Sequence, residues 1–135
     1  MTIKLYCDGG SRGNPGPAAA GAVLKYDDET VPLGRFLGIQ TNNFAEYSAV
    51  VMGMEAALAR KPKKIEVYLD SELIVKQMNG IYRVKNVDLR PLYEKVRLMA
   101  SKVPTTFTHV RREYNQEADR QVNICLDNNL DKRSS

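Results

Sequence analysis

Apolar and polar positions alternate over Ile3-Lys4-Leu5-Tyr6-Cys7-Asp8, which predicts a β-strand closed by Asp8. Gly9-Gly10-Ser11-Arg12-Gly13-Asn14-Pro15-Gly16-Pro17 then breaks any regular element and predicts a turn-rich loop. A second strand is expected from Ala20 to Tyr26, a polar turn at Asp27-Asp28-Glu29 and a third strand from Val31 to Ile39, so three antiparallel strands open the chain. From there the period lengthens. Ala45, Val50, Val51, Met54, Ala57 and Leu58 recur at helical spacing behind Thr41 or Asn42, either of which can cap a helix running to about Arg60. Pro62 stops that helix, Ile65, Val67 and Leu69 alternate in a fourth strand ending at Asp70, and Ser71 caps a short helix from Glu72 to Met78. Asp88 is expected to cap a third helix, with Pro91 in its first turn, Leu92, Val96 and Met99 along one side, and its end before Pro104. Phe107 to Val110 predict a fifth strand. Asn115 should cap a last helix carrying Ala118, Val122, Cys125 and Leu126, with the polar end from Asp127 to Ser135 frayed.

This order mixes hairpins with right-handed crossovers around one sheet. It predicts an α/β domain: a five-stranded mixed sheet, three antiparallel strands followed by two parallel additions, with helices on both faces. The 135 residues, 43% hydrophobic and 27% charged, make one globular domain and leave no room for a second. No run approaches the ~20 apolar residues of a membrane span, and Met1-Thr2-Ile3-Lys4 lacks the pattern of a signal peptide, so a soluble, cytoplasmic protein is expected; the sequence does not give its oligomeric state, and a monomer is our guess. Cys7 and Cys125 show no spacing for a metal knuckle or a disulfide framework, and both are expected reduced and buried. The formal charge of +4 suits a polyanionic partner, although so small a surplus also describes many proteins that never touch nucleic acid.

Three acids stand where an α/β fold builds its sites, and a fourth joins them. Asp8 closes the first strand, Asp70 the fourth, Glu46 lies in the first turns of the long helix, and Asp119 is one turn into the last helix. With strands one and four adjacent, Asp8 and Asp70 would emerge side by side and repel by kilocalories unless a cation neutralised them. A magnesium pair would do so, because magnesium prefers oxygen ligands. Two ions about 4 Å apart can activate an attacking water and stabilise the leaving oxygen of a phosphodiester. Taken singly, each acid also has a structural reading: Asp8 as a turn cap, Asp70 as a loop acid, Glu46 as a partner for Arg or Lys, Asp119 as a helix N-terminal acid.

The setting of the four acids decides between these readings. Asp8-Gly9-Gly10-Ser11-Arg12-Gly13-Asn14-Pro15-Gly16-Pro17, Thr41-Asn42-Asn43-Phe44-Ala45-Glu46, Asp70-Ser71 and Arg112-Glu113-Tyr114-Asn115-Gln116-Glu117-Ala118-Asp119, in that order, resemble type 1 ribonuclease H over roughly residues 1 to 127. The resemblance implies a ribonuclease H-like fold, a catalytic domain over 1–127 and a disordered tail over 128–135. It implies cleavage of the RNA strand of an RNA/DNA hybrid to 5′-phosphate and 3′-hydroxyl ends, with two Mg²⁺ ions for which Mn²⁺ can substitute. It further implies that Asp8 bridges both metals, that Glu46 and Asp70 hold the one on the leaving-group side, and that Asp119 holds the one carrying the attacking water.

A hybrid cutter must sense the 2′-hydroxyl on one strand and the shape of DNA on the other. Gly9, Gly10 and Gly13 let backbone approach a sugar, and in the resembling family this loop, Ser11 included, and the Asn after it contact the substrate. Asn14 can equally fix the turn, and the two roles are compatible. Thr41, Asn42 and Asn43 sit at a helix N-terminus, where free amides favour a phosphate. We expect Thr41 and Asn14 to touch a DNA phosphate, and Asn42 and Asn43 bases or sugars, with helix capping retained. Some relatives carry Gln where this chain has Glu72, so a contact there does not carry over.

The stretch from Asn79 to Val87 is far shorter than the basic handle of many bacterial relatives. Tyr82, Arg83 and Lys85 in it either grip the DNA strand or leave Tyr82 as a lid on the core with both cations in solvent. The run Arg60-Lys61-Pro62-Lys63-Lys64 reads as a solvated helix end. His109, the single histidine, has the spacing of a histidine that assists product release in some relatives, but it falls in a strand. Arg112, just after that strand, is the better candidate. Two alternatives compete: another nuclease of the same superfamily, against which the complete glycine-loop and Thr-Asn-Asn motifs stand, and a silent hybrid-binding module, against which all four acids stand. Met1 and the short polar end favour a self-standing chain over a domain cut from a longer polypeptide.

Overall fold

The computed structural model describes the backbone of residues 1–134 and the side chains of residues 1–129. β1 (Thr2–Ser11) lies at the centre of the sheet, antiparallel to β2 (Gly16–Tyr26), which pairs antiparallel with β3 (Glu29–Gln40). On the other side β4 (Lys64–Leu69) runs parallel to β1, and β5 (Thr105–His109) parallel to β4, giving the order β3-β2-β1-β4-β5. The expected mixed sheet is the observed one. The helices are α1 (Asn42–Ala59), α2 (Glu72–Met78), α3 (Arg90–Ala100) and α4 (Gln116–Ser134).

The period-two pattern of β1 explains the layering. Ile3, Leu5 and Cys7 are fully buried on the α1 face, where they join Leu24, Ile65, Val67, Tyr47, Val50, Met54, Ile74, Met78 and Val96 in the main core. The other face packs closely on α4: a Cβ built on Gly21 would lie 2.4 Å from the Ala118 carbonyl oxygen. There the apolar cluster is small, Ala19, Val122 and Leu126 with Phe36 and Cys125. Thr41 and Ser71 cap as expected, Thr41 Oγ1 accepting from the Phe44 N–H at 3.2 Å and Ser71 Oγ from the Ile74 N–H at 3.3 Å.

Several expectations are corrected. β1 does not stop at Asp8, because Gly9 and Gly10 continue the ladder opposite Ala20 and Ala19. The irregular turn shrinks to residues 12–15. Ladder bonds need only backbone, and α1 approaches too closely for a side chain at residue 9. Asp88 does not cap α3; the N-cap is Leu89 without a side-chain bond, and the Asn86 carbonyl accepts from the N–H groups of Leu89 at 3.2 Å and Arg90 at 3.1 Å. Asn115 does hold the N-cap position of α4, its carbonyl accepting from the Asp119 N–H at 3.1 Å, but its side chain makes no cap bond: Nδ2 donates across the molecule to the Cys7 carbonyl at 2.8 Å and Oδ1 has no partner among the described residues. Cys125 is half-buried, unlike the fully buried Cys7, and neither is paired. The tail expected from residue 128 begins within α4; its side chains from 130 and residue 135 lie outside the described residues. Among the described residues no helix is long and apolar enough to cross a membrane.

Candidate active site

Parallel pairing sets Cys7 opposite Leu69, so the residues that follow, Asp8 and Asp70, stand side by side. Glu46, in the second turn of α1, comes over the same end of the sheet. Each of the three offers a carboxylate oxygen, and these oxygens lie within 4.8 Å of one another. Asp119 approaches from α4 and accepts a hydrogen bond from the Asp8 carboxyl. Burial pushes Asp8 up to about 9, with the charge of Asp70, that bond to Asp119 and the charges of Asp119 and Glu46 adding to it. Glu46 is pushed up to about 7, first by burial and then by Asp70, against the pull of a Ser71 hydrogen bond and the Arg112 cation. These are the signs of a negative site that needs a positive occupant.

The donor set fits a hard divalent cation. All the ligand atoms are carboxylate oxygens, and Glu46 Oε2 is buried without a hydrogen-bond partner. The acids line a groove of about 320 Å³ whose walls include Gly9, Gly10, Ser11 and Asn42 on one side and Arg112 and Asn123 on the other. His109 does not line it. It is exposed on β5 and acts electrostatically on Glu72, whose carboxyl is held below its usual range chiefly by Lys76.

The turn and the start of α1 are hydrogen-bonded to each other. Asn42 Oδ1 accepts from the Ser11 N–H at 2.8 Å, Asn14 Oδ1 accepts from the Asn42 N–H at 3.1 Å, and the Ser11 hydroxyl donates to the Gly13 carbonyl. Gly13 has φ +101°, a conformation that favours glycine. Asn14 therefore does fix the turn, while Thr41 and Asn43 are exposed and, unlike Asn42, do not line the groove. Tyr82 is not a lid on the core: it is 48% exposed, with Lys76 Nζ 5.2 Å from its ring centroid. It lines a separate cavity of about 490 Å³ together with Arg83, Lys85, Arg90 and Tyr93. Sequence reasoning missed Asn123, Val122 and Leu126 in the groove wall. Their offsets of four, three and seven from Asp119 place them on its helix face, and that signal was available.

A model of the reverse transcriptase-like family matches residues 6–125. The bifunctional protein Rv2228c of Mycobacterium tuberculosis is 38% identical over 131 residues, which make up 94% of this chain and 36% of that protein. Ribonuclease HI of Halobacterium salinarum is 40% identical over 132 residues, 93% of this chain and 64% of that one. The chain thus spans 36% and 64% of the length of these curated relatives. Among solved structures, LC11-RNase H1 in complex with RNA/DNA hybrid matches with a TM-score of 0.89 at 37% identity, covering 95% of this chain and 99% of that one.

Proposed function

Because the chain belongs to the type 1 ribonuclease H family, we propose that it is an endoribonuclease that hydrolyses the RNA strand of RNA/DNA hybrids, leaving 5′-phosphate and 3′-hydroxyl ends. The observation that carries this reading is the convergence of Asp8, Glu46 and Asp70 within 4.8 Å, with Asp119 facing Asp8 from α4. Two Mg²⁺ ions, for which Mn²⁺ can substitute, would supply an activated water and a stabilised leaving oxygen when bound. Asp8 would be shared between the ions, Glu46 and Asp70 would hold the one on the leaving-group side, and Asp119 would hold the one on the water side. Burial raises the Asp8 and Glu46 carboxyls, and a bound hard cation would restore their ionised form.

Gly9, Gly10, Ser11 and Gly13 offer backbone and a hydroxyl to the RNA sugars, while Asn14, Thr41, Asn42 and Asn43 face the DNA strand at the α1 N-terminus. Tyr82 with Arg83 and Lys85 would take DNA phosphates farther along. The reading assigns the catalytic unit to residues 1–127 and has it act as a monomer in the cytoplasm.

Arg112, whose cation acts electrostatically on Glu46, is our candidate for assisting turnover. Arg112→Ala is expected to lower turnover by about tenfold to a hundredfold, the size of losing an outer group that acts on a metal ligand. His109→Ala should change it by less than about twofold, as for a residue outside the groove. Steady-state assays with the order reversed would give the role to His109. The reaction itself is tested with end-labelled RNA/DNA hybrid, double-stranded RNA and double-stranded DNA, each with Mg²⁺, with Mn²⁺ and with chelator. Metal-dependent loss of RNA from the hybrid alone is the expected result. Equal cutting of double-stranded RNA would widen the substrate class, and binding without cutting would make the chain a silent hybrid-binding module.

A further inference from the structure

We propose that Asn123 and Arg12 form a positioning arm that holds the Asp119 carboxylate and ties it to the turn between β1 and β2. The inference rests on the reading of Asp119 as a metal ligand. Asp119 is the one carboxylate of the four outside the tight trio, and it comes from α4, on the face of the sheet opposite the α1 helix that carries Glu46. Its side chain therefore needs its own restraint. One turn along α4, Asn123 Nδ2 donates to Asp119 Oδ2 at 3.3 Å and to the Asp119 main-chain oxygen at 3.2 Å. With the amide nitrogen committed on that side, the amide oxygen turns outward and accepts from Arg12 Nη2 at 3.5 Å. The same Nη2 meets Asp127 Oδ1 at 2.6 Å, one turn farther along α4.

Arg12 is itself anchored, because its backbone N–H donates to the Pro17 carbonyl at 2.8 Å and closes the turn. An Asn bonded only to the carbonyl four residues back would be a local helix feature. The additional bond to the carboxylate, with an arginine from residues more than a hundred positions earlier holding the amide's other end, gives it a function. Engaging one oxygen of Asp119 leaves the other as the ligand atom and removes rotamer freedom that cation binding would otherwise have to freeze. Groups that orient ligands in this way commonly change metal affinity by about ten- to a hundredfold. Arg12 acts one bond farther out and through partly exposed groups, so its share is smaller.

The test is calorimetric titration of the full chain with Mg²⁺ in the absence of nucleic acid, with thermal unfolding in chelator alongside. Asn123→Ala should weaken Mg²⁺ binding by about tenfold and Arg12→Ala by about threefold. Arg12→Ala added to Asn123→Ala should weaken it no further, because Arg12 works through Asn123. A purely structural role would move the unfolding midpoint and leave Mg²⁺ affinity alone, which would overturn the arm, as would additive effects in the double variant. Asp119→Asn separates the two levels. If it binds Mg²⁺ like the parent chain, the ligand assignment and the arm fall together; if it weakens binding and Asn123→Ala does not, the arm alone falls.

Discussion

Asp8→Asn is expected to lose metal-dependent cleavage of the hybrid by about a thousandfold or more, yet to unfold at a higher temperature than the parent chain when metal is chelated. The loss follows from removing the carboxylate that Glu46, Asp70 and Asp119 all face. The gain follows from the direction in which that carboxyl titrates. In the folded, metal-free chain Asp8 is raised from 3.8 to about 9 and Glu46 from 4.5 to about 7. A group raised on folding contributes its stability in full below its unfolded value and loses it as pH rises through the folded value. The metal-free fold should therefore weaken steadily from about pH 4 to about pH 9. Asparagine resembles the protonated acid and escapes that loss. Circular dichroism melts in chelator should show the variant and parent together near pH 4 and separated by roughly 5–10 °C at pH 8, with Mg²⁺ closing the gap by stabilising the parent. A parent chain whose melt in chelator does not change between pH 5 and pH 8 would mean that neither burial nor the neighbouring acids raise Asp8 and Glu46.

Gly9→Ala is the substitution expected to damage the fold most. A Cβ there would sit 2.2 Å from the Ala45 carbonyl carbon and 2.4 Å from both the Ala45 oxygen and the Glu46 nitrogen. All three are main-chain atoms of α1, so no side chain can turn aside; the helix must lift from the sheet. Overpacking against backbone should destabilise by about 3–5 kcal/mol. The displacement also moves Glu46, so metal affinity should fall in whatever protein still folds. Gly10→Ala is the control one residue on, where the nearest atom, Val122 Cγ1, lies at an ordinary 3.6 Å. Denaturant unfolding should place Gly10→Ala within about 1 kcal/mol of the parent. Equal effects at the two positions would show that helix approach is not what glycine serves at residue 9.

Much of this was legible where the cause is local or periodic. The alternation of Ile3, Leu5 and Cys7, and of Ile65, Val67 and Leu69, identifies two strands whose apolar faces must share one core, which brings Asp8 and Asp70 to the same edge. Thr41 and Ser71 cap helices through bonds only three residues long. What escaped reading depends on distant partners. The glycines after Asp8 look like a loop until β2 supplies a ladder and α1 supplies a reason for having no side chain. Asn115 takes the N-cap position its sequence marks, but its side chain makes no cap bond and its amide instead donates to a carbonyl 108 residues away. Tyr82 could be judged neither lid nor surface group without the path of its loop.

The thin apolar footing of α4 makes stability uneven across the domain. Among the described residues only Ala19, Val122 and Leu126, with Phe36 and Cys125, form its cluster, whereas α1 shares the main core. Segments with little buried apolar contact open locally at a fraction of the free energy of global unfolding. The sheet and α1 can thus keep three acids together while the fourth comes and goes with its helix, and a cation held by both halves would act as the latch. Backbone amides of α4 would then exchange with solvent faster than those of β1, and slow when the cation binds.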